Sequence, residues 1–251
     1  MRAVPVFRHL KDICLKTVAQ DTPFVVKDVV TAWPALQDEA RQWSIENLLG
    51  RPSLCKRVVP VEFFGNYMDP KNKILQVTFG DLIEVFRKEE AGEIKDDSLA
   101  HIYLAQYELK ELPELEQDCL GLPSTILKGI GRGLEERSNV WFGKKGVSSP
   151  AHTDPFFNLL CQVRGTKNIL LFPFETGKKC LYPARGTQQE NTSLVEDLDC
   201  VDKSKYPLVT EALDKGWHVD LQEGDALYVP KKIWHFTRNK TLSFSVNYWW
   251  I

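Results

Sequence analysis

From Trp141 onward the chain is built of short apolar stretches separated by turn residues, a texture that confines the fold to β architectures made of short strands. Residues 157–163 run into Arg164-Gly165-Thr166, and Lys167–Phe172 follows at once, which predicts a hairpin. Glu223-Gly224-Asp225 marks another turn before residues 226–230. The tail over 242–248 alternates apolar and polar residues, so one face is buried and the other looks elsewhere. Helical spacing belongs to the first half. Residues 38–50 carry Trp43, Ile45, Leu48 and Leu49 among charges and predict a helix ending at Gly50. Residues 79–90 set Leu82, Ile83, Val85 and Phe86 at helical spacing, and 109–120 predict a short acidic helix or turn broken at Pro113. Helices that precede the strands rather than alternate with them disfavour a parallel doubly wound sheet.

Composition removes several function classes. With 251 residues, 43% of them hydrophobic, the chain can bury a sizeable core without disulfide staples. Lys and Arg total 32 against 34 Asp and Glu, a net charge of -2, so there is no electrostatic footprint for general nucleic-acid or acidic-membrane binding. No stretch approaches the ~18 apolar residues of a bilayer-spanning helix. Six cysteines (Cys14, Cys55, Cys119, Cys161, Cys180 and Cys200) form no CxxC pair, which excludes zinc-cluster and thioredoxin-type motifs. Arg8 and His9 interrupt any apolar signal core, so reduced thiols and an intracellular setting are expected, nuclear or cytoplasmic. Gly129-Ile130-Gly131-Arg132-Gly133 has GxGxG rather than GxGxxG spacing and reads as a connection, not a dinucleotide loop. Lys178-Lys179 and Lys231-Lys232 are too short to be basic patches.

Chemistry concentrates on two of the five histidines. In Ser149-Pro150-Ala151-His152-Thr153-Asp154, His152 and Asp154 are two apart, so on an extended segment both side chains leave the same face. His235, just past the strand ending at Pro230, is the candidate third ligand. Two neutral imidazoles and one carboxylate make a facial triad that holds Fe(II) and leaves positions open for substrate and O2; zinc is the alternative metal and points to hydrolysis. HxD alone is a weak signal. Lys167 follows a tight turn inside an apolar run. It reads either as an edge-strand lysine reaching solvent or as a buried cation waiting for a carboxylate. His101, next to Tyr103, reads as a surface or core histidine.

Taken together, Ile102-Tyr103-Leu104-Ala105-Gln106, Trp141-Phe142-Gly143, residues 149–167 and the last 28 residues resemble the JmjC oxygenases of the cupin superfamily, over a stretch from about Arg57 to Ile251. Leu181-Tyr182-Pro183, Asn191-Thr192-Ser193 and Ser243-Phe244-Ser245-Val246 before Trp249-Trp250 resemble the branch of jumonji-domain protein five, described both as lysine-demethylase-8-like and as an arginyl hydroxylase. The resemblance implies a mainly β fold, a double-stranded β-helix of the cupin or jelly-roll type. It would form a single JmjC-type domain over 1–251, with a helix-rich flank over 1–100 and the β-helix core over 101–251. It also implies Fe(II) held by His152, Asp154 and His235, with 2-oxoglutarate and O2 as co-substrates. Lys167 would pair with the distal carboxylate of 2-oxoglutarate, Tyr103, Ser149 and Asn158 would hydrogen-bond to it, and Trp249 would wall the pocket. Glu62 and Trp141 map to substrate contacts, a carboxylate beside an aromatic face that suits a guanidinium or ammonium group. The chain departs from the branch in two respects: it begins almost at the catalytic core, where the relatives carry a long extension of helical repeats, and Phe156-Phe157 is bulkier than the polar pair expected there.

The function expected from this resemblance is hydroxylation of an Arg or Lys side chain of a protein or peptide, yielding succinate and CO2. Demethylation of a histone methyl-lysine is the chemical rival. Hydroxylation of a tRNA base is disfavoured by the near-neutral charge, and a non-catalytic cupin scaffold by the intact set of candidate ligands. A monomer is the default expectation, with Trp249-Trp250 sealing the chain's own barrel rather than a dimer contact.

Overall fold

The computed structural model describes residues 1–8, 13, 22–63, 68, 71–94, 101–120 and 135–251. Cys14 and Gly129–133 lie outside them. The strands are β1 (Arg2–Ala3), β2 (Val6–Phe7), β3 (Phe24–Val26), β4 (Val58–Phe63), β5 (Lys73–Thr78), β6 (Ile102–Glu108) and β7 (Glu135–Gly143), followed by β8 (Ser148–His152), β9 (Phe157–Arg164), β10 (Lys167–Phe172), β11 (Trp217–Leu221), β12 (Ala226–Val229), β13 (Trp234–Asn239) and β14 (Ser243–Trp250). They form two sheets. The smaller runs β1-β11-β10-β13-β8 and the larger β2-β3-β12-β9-β14-β7-β6-β4-β5, so late strands return beside early ones, as in a cupin-like double-stranded β-helix. The segment 1–100, expected as a helix-rich flank, supplies the helices α1 (Pro34–Gln37), α2 (Ile45–Leu49), α3 (Pro52–Cys55) and α4 (Phe79–Glu90), and also β1 to β5, which extend both sheets. The later helices are α5 (Pro113–Glu116), α6 (Phe174–Cys180) and α7 (Val209–Lys215). Among the described residues no helix is long and apolar enough to cross a membrane, and Cys55, Cys119, Cys161, Cys180 and Cys200 are free thiols.

Three apolar clusters follow from strand alternation. On β14, Phe244, Val246, Tyr248 and Trp250 join Phe142 and the α4 residues Phe79, Leu82, Ile83 and Phe86 on the outer side of the large sheet. Leu170, Phe172, Trp234 and Phe236 form the outer cluster of the small sheet with Cys180 and Leu181. Leu160, Ile169, Leu171, Leu227 and Val229 pack between the sheets. The polar residues of β14 are buried too, because they meet partners: Ser245 donates to Gln162 Oε1 (2.8 Å) and Gln162 donates to Ser243 Oγ (2.8 Å). A buried polar residue is tolerated in a strand interior when its hydrogen bonds are made.

Helix α4 forms over the expected residues, capped by Thr78, whose hydroxyl accepts from Asp81 N (3.1 Å). The helix expected over 38–50 is shorter. Ser44 caps α2 by accepting from Asn47 N (3.2 Å), and the residues before it turn. That turn puts the Trp43 indole N–H on the buried Asp118 carboxylate (3.0 Å), which also receives Arg41 Nε (2.7 Å) and Arg51 Nη1 (2.5 Å). Pro113 opens α5 rather than breaking a helix; at the first helical position its missing N–H costs nothing.

The expected hairpin over 157–172 does not form. Strand β9 pairs with β12 and β14, whereas β10 pairs with β11 and β13, so the tight turn carries the chain from one sheet to the other. A short turn between two strands looks the same in sequence whether the chain folds back into its own layer or crosses to the facing one. Gly165 makes the crossing, with φ +73° and a backbone so close to Leu242 that a Cβ would sit 1.9 Å from its carbonyl oxygen. Gly165→Ala is therefore expected to lower unfolding stability by at least about 2 kcal/mol, from the left-handed backbone and the overlap together, measured by urea denaturation.

Candidate metal and co-substrate site

His152 closes β8 and His235 lies directly opposite it on β13 in antiparallel register, with ring centroids 4.2 Å apart. Each ring is fixed the same way. The Nδ1 of His152 lies 2.8 Å from Pro150 O and that of His235 3.1 Å from Ile233 O, in both cases the carbonyl two residues earlier. With Nδ1–H donated to a carbonyl, Nε2 carries the lone pair, the arrangement metal-binding histidines adopt. Asp154 completes the group, with Oδ1 4.0 Å from His152 Nε2 and Oδ2 3.5 Å from His235 Nε2. One ligand atom from each residue lies within 4.8 Å of the others. Burial, reinforced by the neighbouring His152, pushes the His235 imidazole well below its usual range, so it is neutral at pH 7, as ligation requires. Two imidazole nitrogens and one carboxylate on one side of an open cavity fit Fe(II) as a facial triad.

These three residues help to line a cavity of about 340 Å³ between the sheets. Lys167, at the start of β10, lines the same cavity and is only 2% exposed. Its ammonium donates to Tyr103 Oη (3.4 Å) and meets no carboxylate within ion-pair distance among the described residues. Of the two readings the sequence leaves open, the buried one is observed. Burial pushes its pKa down to about 7. An unpaired cation in a dry site is costly until an anion arrives. The same burial raises the Tyr103 phenol far above its usual range, so it stays a neutral hydroxyl.

The other residues assigned to the co-substrate and the substrate also line this cavity: Tyr103, Ser149, Asn158, Trp249, Glu62 and Trp141. Asn158 Oδ1 accepts from Asn247 Nδ2 (3.1 Å), which leaves the Asn158 NH2 to donate elsewhere. Asn247 Oδ1 accepts in turn from Trp141 Nε1 (2.8 Å) and Asn139 Nδ2 (3.2 Å), so one β14 residue fixes both Asn158 and the Trp141 ring. The buried Trp249 indole N–H has no partner among the described residues, and its ring stacks on Phe156 with centroids 5.4 Å apart. Phe157 instead packs near Tyr228 and Trp250, so of the bulky pair Phe156 is the one against the cavity wall. Glu62 faces His101, whose Nε2 lies 3.4 Å from Glu62 Oε2.

Sequence reasoning missed Asn247, Gln106, Thr237, Gln189, Asn191 and Thr192 as lining residues. Asn247 could have been found as a polar position of the alternating tail. Gln106 sits at φ +50° where the β6–β7 register shifts, and no pattern in the sequence marks that bulge. Residues 189–192 belong to a long irregular stretch between α6 and α7 whose approach to the cavity is purely tertiary.

Comparison with known proteins places these features in a family context. The profile of the cupin-like domain family matches residues 12–251. The chain is 35% identical over 229 residues to an Arabidopsis thaliana protein named lysine-specific demethylase JMJ30, covering 91% of this chain and 50% of the relative. It is 33% identical over 247 residues to lysine-specific demethylase 8 of Xenopus tropicalis, with coverages of 98% and 51%. It is 34% identical over 248 residues to Jumonji C domain-containing protein 5 of Drosophila melanogaster, with coverages of 96% and 57%. The chain thus spans about half the length of the relatives it matches.

Proposed function

The chain belongs to the cupin-like JmjC family, and on that premise we propose that it is an Fe(II)- and 2-oxoglutarate-dependent oxygenase that acts on a protein side chain and removes N-methyl groups from lysine. The observation that carries the reading is one cavity lined both by the His152/Asp154/His235 ligand set and by the buried Lys167 ammonium, which meets no carboxylate among the described residues. In this reading the triad holds Fe(II), which with 2-oxoglutarate and O2 supplies the oxidant for one C–H bond while succinate and CO2 leave. Lys167 neutralises the distal carboxylate of 2-oxoglutarate. Tyr103 accepts from Lys167, so its own O–H is turned to donate, and it joins Ser149 and the Asn158 NH2 as neutral donors to that carboxylate. Trp249 walls the site and helps keep water from it.

Glu62 and Trp141, fixed by His101 and Asn247 respectively, are assigned to the substrate side chain. Methyl-lysine is favoured by the names of the Arabidopsis and Xenopus relatives. The second reading is stable hydroxylation of an arginine or lysine. It is favoured by the Glu62 carboxylate sharing the cavity with the Trp141 ring, a pairing suited to a guanidinium as well as to an ammonium group. In either case the partner is a protein or peptide, and the acting species is a monomer.

Mass spectrometry of arrayed peptides incubated with Fe(II), 2-oxoglutarate and O2 tests the assignment. Loss of a methylene with release of formaldehyde is the expected result. Gain of one oxygen without that loss replaces demethylation by stable hydroxylation, and absence of succinate with every peptide and with 2-oxoglutarate alone overturns the oxygenase itself.

A further inference from the structure

Strand β8, which ends at the first candidate ligand, is the outermost strand of the small sheet. An edge strand has one unpaired side, a poor foundation for a centre whose geometry must hold to a fraction of an ångström. Here that side is covered by three residues from the irregular stretch between α6 and α7. Thr192 bridges His152, Ser193 N donates to Ala151 O (2.7 Å), and Thr153 N donates to Asn191 O (2.9 Å). Asn191 adds a second bond that backbone pairing does not supply: its side-chain Nδ2 donates to Thr153 O (2.9 Å). Both main-chain groups of Thr153 are therefore held by one residue. Thr153 is the link between His152 and Asp154, and on its far side Asp154 O accepts from Lys232 N (3.0 Å).

From this we propose that Asn191 is a positioning residue for the metal centre, clamping the Thr153 peptide so that the Asp154 carboxylate and the His152 imidazole are held in ligating geometry before the metal binds. Two neighbouring ligands on a loose link must be ordered by the metal itself, which weakens binding. With the link held from both of its peptide groups, the ordering is done on folding. The stretch that carries Asn191 is itself anchored. Ala184 N donates to Thr192 O (2.9 Å), Leu194 N to Tyr182 O (2.9 Å), and Ser193 Oγ to Leu181 O. The inference rests on the triad reading given above, and its test reads metal binding rather than turnover.

The experiment titrates Co(II) into the apo full chain, following its visible absorption, for the wild type, Asn191→Ala and Asn191→Asp. The aspartate keeps the size of the asparagine but has no N–H to give Thr153, so it serves if the alanine variant does not fold. Both variants are expected to bind Co(II) about tenfold more weakly with an altered band shape, the range seen when a group supporting a ligand is lost, while the metal-free melting temperature of Asn191→Asp stays within a few degrees of wild type. Wild-type affinity and spectrum in Asn191→Asp overturn the inference alone. A wild type that takes up no Co(II) overturns the triad reading and this inference with it. Weakened binding accompanied by a melting temperature lowered in proportion also overturns it, assigning Asn191 to general stability.

Discussion

Alanine in place of His152, Asp154 or His235, one at a time, is expected to lower affinity for Fe(II) or Co(II) by at least about 100-fold and to bring succinate formation to background, because a ligand lost from the metal should cost more than the 10- to 100-fold of a supporting group. The three are not equivalent in how they sit. His235 is buried and held neutral by its surroundings, and its Nδ1 lies against Ile233 O. Its loss leaves a small void and should cost folding stability as well as metal. Asp154 is more exposed and carries the only carboxylate of the group. Asp154→Ala removes the negative charge that compensates a dication, so its metal loss should come with little change in the melting temperature of the metal-free protein. Anaerobic addition of Fe(II) and 2-oxoglutarate checks this directly. The charge-transfer band of the wild type should vanish in all three variants, and a band surviving in any of them would remove that residue from the ligand set.

Lys167→Met is expected to weaken 2-oxoglutarate binding by about 2–4 kcal/mol, roughly 30- to 1000-fold in its KM, with metal affinity nearly unchanged. Methionine retains most of the volume and has no charge to strand. Because Lys167 is buried against Tyr103 with no counter-charge, the metal-free variant should be as stable as the wild type or more so, a result opposite to that of most buried substitutions. The same burial sets the pH dependence. Desolvation lowers the Lys167 pKa to about 7, so the free site is largely charged below that pH and largely neutral above it. The distal carboxylate needs the charged form. Above about pH 7, therefore, each 2-oxoglutarate bound takes up a proton, and affinity should fall by roughly tenfold per pH unit until the pKa of the complex is reached. For folding the sign is the reverse: a lysine whose folded pKa is depressed contributes stability at high pH that is lost as pH falls toward 7. Calorimetry in buffers of different ionisation enthalpy measures the proton uptake, and pH-independent affinity in the wild type would show that Lys167 stays charged without its ligand.

Much of this protein was legible in its residues. The alternation in β14 and the turns at Gly165 and Gly224 announced short strands, because a strand whose two faces meet different surroundings leaves a period of two in the order of side chains, although in β14 both faces are buried, the polar one through its hydrogen bonds. His152 and Asp154 could be paired from spacing alone for the same reason, and the resemblance supplied His235 and Lys167 in roles that spacing left open. What the order of residues did not carry was the partner of each strand. The 157–172 segment reads as a hairpin, yet β9 and β10 lie in facing sheets. That crossing turns Lys167 into the space between the layers instead of out to solvent. Likewise Asn247, Asn191 and the His101–Glu62 pair matter only through contacts made across the fold. Local sequence dictates which face of a strand is apolar, because that depends on neighbours two residues apart. Which residues share a cavity depends on how whole strands are assigned to layers, a free energy spread over the entire packed core, and no single segment encodes it.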